Sequence, residues 1–237
     1  MARESPSERL ERKVGLFGAA LREARREFWD HPAAARMFPG LLFRMHCEAR
    51  STVHLLETAA VELERAAASD PVAPRVRAYF RELAAEERGH DDWLLEALEA
   101  LGVPRADVRA RIPPATVAAV VGAQYYWMYH HHPIALLGFV KIVEGEPSTA
   151  AQIAWAVENK GLPPAAFRYH LAHVELEPLH NAKLDRLLDS LPLSPEHEAI
   201  IGVSAARTAH LLAQSTRELI ALHQDANDPR PEAPLLA

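Results

Sequence analysis

Two long stretches of this sequence carry apolar residues at steps of three and four, the spacing of one helix face, but acidic and histidine residues interrupt both rows. The first row reads Phe80, Leu83, Glu87, His90, Leu94, Ala97, Leu101, and the second reads His173, Glu177, His180, Leu184, Leu187, Leu191. A carboxylate or imidazole buried without a partner is unfavourable. The chain must therefore fold into helices that offer these buried polar groups some compensation.

The rest of the chain also has helical periodicity, and no segment shows the alternation of a convincing strand. Start and stop signals predict about eight helices, over roughly 7–29, 40–68, 75–101, 113–131, 133–144, 149–160, 165–191 and 194–224. With 237 residues, 49% hydrophobic and 24% charged, the sequence suits one domain. We expect a single all-α domain over 1–225 and a disordered tail over 226–237.

Composition argues against several classes of function. The net charge of −6 does not favour binding to nucleic acid or to an anionic membrane surface. The sequence contains no run of 18 apolar residues and begins without an apolar leader segment, which predicts a cytoplasmic protein that does not enter a membrane. Cys47 is the only cysteine, so a disulfide framework and a Cys-x-x-Cys metal site are both excluded.

Each interrupted row contains a Glu-x-x-His motif, formed by Glu87 with His90 and by Glu177 with His180. This spacing leaves both side chains about one turn apart on the same helix face, from which they can reach one metal ion. A bound cation would offset the cost of burying them. Helical bundles build di-iron sites from two such motifs and one glutamate on each of two further helices.

The sequence can also supply the two further glutamates. Reflection about the turn near residue 161 places Glu144 at the depth of Glu177. Reflection about the turn near residue 70 favours Glu57 on the second helix, with Glu48 and His54 as alternatives. Glu48 faces the apolar side better but lies deeper, whereas His54 has the right depth and faces away. A mixed carboxylate–imidazole site suits iron or manganese better than zinc.

With these residues in place, the chain resembles the heme-oxygenase-like di-iron oxidases and oxygenases over about residues 28–222. The segments that carry the resemblance are FWDHP, EERGHD, ALLGFVKIVEGE, and the spacing of His173, Glu177 and His180, which is similar to the family's His-xxx-Asp/Glu-xx-His pattern. The resemblance implies a heme-oxygenase-like bundle, with a ferritin-like four-helix bundle as the alternative. It also implies iron ligands at Glu87, His90, Glu144, His173, Glu177 and His180. Thiaminase-like and pyrroloquinoline-quinone-synthase-like proteins share this shape.

The family's chemistry implies two iron ions as cofactor and O2 as co-substrate. The substrate would be a small amine, amino acid or fatty acid, changed by C–C cleavage, desaturation, decarboxylation or N-oxygenation. The alternative is a non-catalytic protein that stores or senses two metal ions on the same scaffold. We further expect a homodimer, on base rates, and an external reductase if the substrate supplies no electrons.

Four residues are candidates for the substrate pocket. Tyr126 and Tyr129 lie in the aromatic stretch QYYWMYHHHP, which also fits an ordinary amphipathic helix end. Lys141 lies one turn before Glu144, where it could meet a substrate carboxylate or run its stem along apolar surface to water. His170 continues the second row one turn outward and could hold a ligand carboxylate.

Overall fold

A computed structural model describes residues 4–66, 70–145 and 148–224, except for the side chains of Glu177 and Gln224. The tail expected over 226–237 lies outside the described residues. Ten α-helices occur in the described part, at α1 Pro6–Asp30, α2 Ala34–Ala66, α3 Ala73–Glu86, α4 His90–Ala100, α5 Arg105–Ala110, α6 Ala115–His130, α7 Leu136–Val143, α8 Ala150–Lys160, α9 Arg168–Ser190 and α10 Pro195–Gln224. The predicted all-α class is confirmed. None of these helices is both long and apolar enough to cross a membrane.

Local sequence explains several of the helix ends. Ser5 caps α1 and forms a reciprocal capping box with Glu8, and Thr149 forms the same arrangement with Gln152 at the start of α8. Gly161 ends α8 with a left-handed backbone, at a φ of 67°. These local signals determine where helices α1 and α8 begin and where α8 ends.

The long helices α2 and α10 organise the bundle. Helix α10 packs along α1, α6 and α7, while α2 packs against α3, α4 and α6. Helices α7 and α10 approach closely at Gly138, where an added Cβ would lie 2.1 Å from the carbonyl oxygen of Ile201 and 2.7 Å from the amide nitrogen of Ala205. Only glycine can occupy this position without moving one helix away from the other.

The third predicted helix is the main correction to the secondary structure. A single helix over 75–101 was expected, but α3 ends at Glu86 and α4 begins at His90. Gly89 has a φ of 86°, a left-handed conformation that interrupts a right-handed helix. The short helix α5 was missed, and α2 begins at Ala34 and continues through Pro39, ahead of the predicted start.

The break at Gly89 gives a testable consequence for stability. Replacing Gly89 with alanine is expected to lower the free energy of unfolding by about 1–2 kcal/mol, because a Cβ is strained at positive φ. Gly15→Ala is the matched control, since a Cβ there meets nothing within 4 Å inside a regular helix. Denaturant unfolding compares the two. Equal effects in both variants would show that the backbone at Gly89 is not strained by a side chain.

Candidate metal centre

The break between α3 and α4 brings the first Glu-x-x-His motif together. Glu87 follows the last residue of α3, His90 is the first residue of α4, and both are 5% exposed. Nδ1 of His90 lies 2.9 Å from Oε2 of Glu87. The ring of Trp93 stacks on the His90 ring, with centroids 4.2 Å apart. This packing holds the imidazole against the carboxylate in one orientation.

Glu144 and His180 form a second buried pair between the end of α7 and the middle of α9. Nδ1 of His180 lies 3.0 Å from Oε2 of Glu144, and the Asn181 side chain donates a hydrogen bond to the backbone carbonyl of Glu144. The other ring nitrogen, Nε2 of His180, lies 3.4 Å from Oε2 of Glu86. The hydrogen bond that His180 donates to the Glu144 carboxylate, reinforced by the charges of Glu144, Glu87 and Glu86, raises the pKa of His180.

His173 has the hydrogen bonding of a ready metal ligand. Its Nδ1 donates to the backbone carbonyl of Tyr169 at 2.9 Å, which places the ring proton on Nδ1. Nε2 therefore carries a lone pair, and this buried atom has no hydrogen-bond partner within the described structure. Burial lowers the pKa of His173 and keeps the ring neutral. Donation from one ring nitrogen is the usual way in which a protein orients the other towards a metal.

These side chains form two groups that share one residue. Among the described residues, ligand atoms of Glu87, His90 and His173 lie within 4.8 Å of one another, and so do those of Glu87, Glu144 and His180. Oε1 of Glu87 is also buried without a hydrogen-bond partner. Two orphaned lone pairs, on Glu87 and His173, are what a bound cation would satisfy. Each group could hold one cation, with Glu87 available to both, and the two imidazoles and one carboxylate of the first group would suit non-heme ferrous iron.

A third group, formed by Asp70, His132 and His197, has a different hydrogen-bonding pattern. Nδ1 of His132 accepts from the amide of Ile134 at 3.0 Å, so its proton lies on Nε2, 2.9 Å from Oδ2 of Asp70. Nδ1 of His197 likewise accepts from the amide of Ser194. A metal on Nε2 would need the ring proton to move to Nδ1, where a backbone amide already donates. Asp70 and His132 are therefore joined by a hydrogen bond, and the His197 ring packs against the His132 ring with centroids 4.9 Å apart.

The structure places Glu57, the ligand predicted on the second helix, away from both groups. Glu57 is half-exposed, and its carboxylate binds Arg88 at 2.6 Å on the surface, apart from both groups. The structure does not bring Glu57 to either group, because its side chain leaves α2 on the solvent side while its neighbours Leu55 and Leu56 face the core. His54 is exposed as well. Glu48, the deeper alternative, faces an internal cavity, although it joins neither group. The side chain of Glu177 lies outside the described residues.

A cavity of about 660 Å³ opens beside the two groups, and Glu87, Glu144 and His173 form part of its wall. Helices α1, α2, α8, α9 and α10 supply the rest, much of it aromatic. A volume of this size suits one small molecule. The two groups therefore lie where a bound small molecule could meet them.

Only one of the four residues predicted for the substrate pocket lines this cavity. His170 does so. Tyr126 and Tyr129 are 53% and 57% exposed and are absent from its wall, because their side of α6 faces solvent. Lys141 is buried, but its ammonium group is bound by Glu11 at 3.0 Å and Asp185 at 3.1 Å. The prediction is corrected for these three residues.

Burial of His170 predicts a dependence of stability on pH. Burial lowers the pKa of His170 to about 4 from an ordinary value of 6.5. The unfolded chain then binds the proton first, so the stability contributed above pH 6.5 is lost as the pH falls towards 4, by up to about 3 kcal/mol. Urea unfolding of metal-free protein at several pH values should show a steeper acid loss for the wild type than for His170→Gln. Identical slopes would contradict a buried neutral His170.

A sequence profile that describes iron-containing redox enzymes matches residues 47–213 of the chain. The chain belongs to this family. The matched segment contains every residue of the two metal groups, so iron-containing redox enzymes share the part of the chain that builds the candidate centre. No curated protein matches the sequence.

Solved structures establish the fold of this member of the family. A Shewanella denitrificans domain of unknown function with a heme oxygenase-like fold aligns with a TM-score of 0.74 at 14% identity, covering 95% of this chain and 96% of that one. A TenA homolog from Pseudomonas syringae gives 0.57 at 12% identity, covering 88% and 93%. A TenA homologue from P. horikoshii gives 0.53 at 14% identity, covering 90% and 99%. The expected heme-oxygenase-like fold is thus confirmed.

Sequence reasoning missed several residues around the centre of this family member. Glu86 adjoins the first motif and contacts His180, and Lys183 in turn binds Glu86 at 2.5 Å. Arg44 was also missed, and it lies on the cavity wall one turn from Glu48, which the sequence had offered only as an alternative metal ligand. Charged residues within the apolar face of α2 were the available signal for these last two, but sequence position alone did not show which helix faces them.

Proposed function

We propose that this protein is an O2-dependent non-heme di-iron oxidoreductase that acts on a small molecule held in the cavity. The observation that carries the proposal is Glu87, which belongs to both buried groups and keeps one carboxylate oxygen without a partner among the described residues. Family membership supports iron as the metal. When bound, a pair of ferrous ions supplies the electrons that activate O2.

The chain's own residues would divide the work of holding the metals. His90 and His173 would hold one ion and Glu144 and His180 the other, with Glu87 between them. Glu86 contacts the outer nitrogen of His180 and would fix the orientation of that ring. The family resemblance adds Glu177 as a further ligand.

The surrounding residues would shield the reaction and orient the substrate. Phe28 and Phe167 are 1% exposed and line the cavity, which restricts water near the centre. The cavity also distinguishes this proposal from a storage protein, because storage needs no space for an organic molecule beside the metals. The substrate decides the type of oxidation, and it decides whether an external reductase must supply electrons. Both points belong to the same proposal.

Oxygen uptake tests this function directly. Protein loaded anaerobically with ferrous iron and mixed with O2 should consume O2 in proportion to its bound iron, faster than ferrous iron in buffer. His90→Ala should lose this uptake, and His54→Ala, an exposed histidine on α2, should keep it. Uptake no faster than that of free iron would contradict the proposal. Continued accumulation of ferric iron far beyond the two-ion capacity would indicate storage instead.

A further inference from the structure

One face of α2 forms a wall of the cavity and carries two charged side chains, Arg44 and Glu48, one helical turn apart. Arg44 is 5% exposed. Its Nη1 donates to Oγ of Ser215 at 2.9 Å and lies 3.5 Å from Oγ1 of Thr116. These are neutral partners. In the described part of the chain, no carboxylate lies within ion-pair distance of the Arg44 guanidinium.

Glu48 is a negatively charged side chain that also lacks an ion-pair partner among the described residues. It faces the same cavity, and no hydrogen bond or ion pair to its carboxylate occurs within the described residues. Burial raises the pKa of Glu48 to about 7, while the charges of Arg44 and Arg25 act in the opposite direction. Glu48 and Arg44 are not themselves an ion pair, and Arg44 reaches the carboxylate of Glu218 only through the hydroxyl of Thr116. Each of the two side chains can therefore still take an oppositely charged partner from the cavity. Buried charges without partners are costly unless a ligand supplies the partner.

The rest of the wall has an apolar part, which includes Leu21, Phe28 and Ile153 from α1 and α8, and a charged part on α1 formed by Arg22, Arg25, Arg26 and Asp30. A ligand that satisfies all three features carries an anion, a cation close to it, and an apolar substituent. A carboxylate matches the planar fork of an arginine, and an ammonium matches a carboxylate acceptor. Neither a fatty acid nor a simple amine would satisfy both charged residues.

We propose that Arg44 and Glu48 form a zwitterion subsite that binds the carboxylate and the ammonium group of an α-amino acid with an apolar side chain. This inference rests on the proposed function, because the bound amino acid is a substrate only if the neighbouring metal centre is catalytic. It assigns α2 the role of recognising the substrate, while α3, α4, α7 and α9 hold the metals. Ser215 and Thr116 position the guanidinium from behind.

Calorimetric titration tests the subsite with defined probes. L-leucine and L-phenylalanine are titrated into the full-length protein, both iron-loaded under anaerobic conditions and metal-free. Phenylalaninamide, which lacks the carboxylate, and N-acetylphenylalanine, which lacks the ammonium group, are titrated alongside. At least one amino acid should bind, and each modified compound should bind at least about 30-fold more weakly, the size expected when one partner of a buried charge pair is removed.

Variants separate recognition from a structural role. Arg44→Gln should weaken amino acid binding by at least about 30-fold. It should not weaken the binding of phenylalaninamide further, because that compound already lacks the carboxylate that Arg44 would bind. Glu48→Gln should show the same relation with N-acetylphenylalanine. Arg65→Gln is the control, since Arg65 lies on α2 outside the cavity wall with a 71% exposed side chain. Arg44→Lys keeps the charge if Arg44→Gln does not fold.

The outcomes distinguish this inference from the proposed function. If neither amino acid binds in either metal state, or if Arg44→Gln binds them like the wild type, the subsite is overturned even when iron loading and O2 uptake are normal. If iron fails to bind but the amino acids bind with the predicted dependence on Arg44 and Glu48, the subsite stands and the di-iron function fails.

Discussion

Replacement of Glu87 with alanine is expected to abolish paired metal binding, with the affinity for iron falling by at least about 100-fold. Glu87 is the residue that both ligand groups share, so its loss leaves two ligands in each group among the described residues. No other single substitution among the described residues of the centre removes a ligand from both groups. Anaerobic titration with ferrous iron, followed by metal analysis after desalting, measures the number of ions retained.

Glu57→Ala is the matched control for this substitution. Glu57 is the same residue type, lies on α2, and binds Arg88 on the surface instead of a buried histidine. Its iron content should equal that of the wild type, and circular dichroism should show that both variants keep their helices. Full retention of two ions by Glu87→Ala, or loss of iron from Glu57→Ala, would reverse the assignment of the bridging residue.

Replacement of Gly138 with alanine is expected to destabilise the fold by about 3 kcal/mol, at the upper end of overpacking effects. The added Cβ would lie 2.1 Å from the carbonyl oxygen of Ile201, a backbone atom that cannot turn aside as a side chain can. For a chain of this length the melting temperature should fall by roughly 10 °C. Calorimetry measures the change directly.

Gly122→Ala serves as the comparison for Gly138. Gly122 lies inside α6, and a Cβ there meets nothing within 4 Å. Alanine has the higher helix propensity, so this variant should be more stable by about 0.5–1 kcal/mol. Opposite signs for the two glycines are the expected result. A neutral Gly138→Ala would mean that α7 and α10 do not approach as closely as described.

The helical class could be predicted because the apolar rows of this sequence repeat at the helical period over long segments. The same rows exposed Glu87, His90 and His180, since each interrupts an apolar face. Glu144 followed from simple reflection about a turn, and the structure places its Oε2 3.0 Å from Nδ1 of His180. The apolar periodicity of a helix and the depth of a residue relative to a turn depend only on neighbouring segments of the chain. Both can therefore be predicted from the sequence.

Rotation of a helix about its own axis was harder to predict. Helix α2 runs for 33 residues from Ala34. A small error in the number of residues per turn therefore grows along the helix into a wrong prediction of which side chains face the core. Depth alone favoured Glu57, whereas the face that meets the cavity carries Arg44 and Glu48. The aromatic composition around Tyr126 likewise gave no information about which side of α6 is covered. Partners far apart in sequence decide these orientations.

The break at Gly89 shows a further limit. The amino acid pattern on both sides of it is continuous, so periodicity predicts one helix over 75–101. Glycine inside a helical pattern is often tolerated, and only the backbone φ of 86° reveals the interruption. The consequence is functional, because the break places Glu87 and His90 together at the centre.

Mössbauer spectroscopy of protein titrated anaerobically with ⁵⁷Fe and then exposed to O2 tests the central claim most directly. The account predicts saturation at about two irons per chain, as two ligand groups require, and a spin-coupled di-ferric signal after oxidation, because the shared Glu87 joins the two groups. Saturation at one iron, uncoupled ferric ions or no binding at all would contradict a bridged pair. If no iron bound at all, the buried histidines and glutamates would be partners of one another instead of ligands.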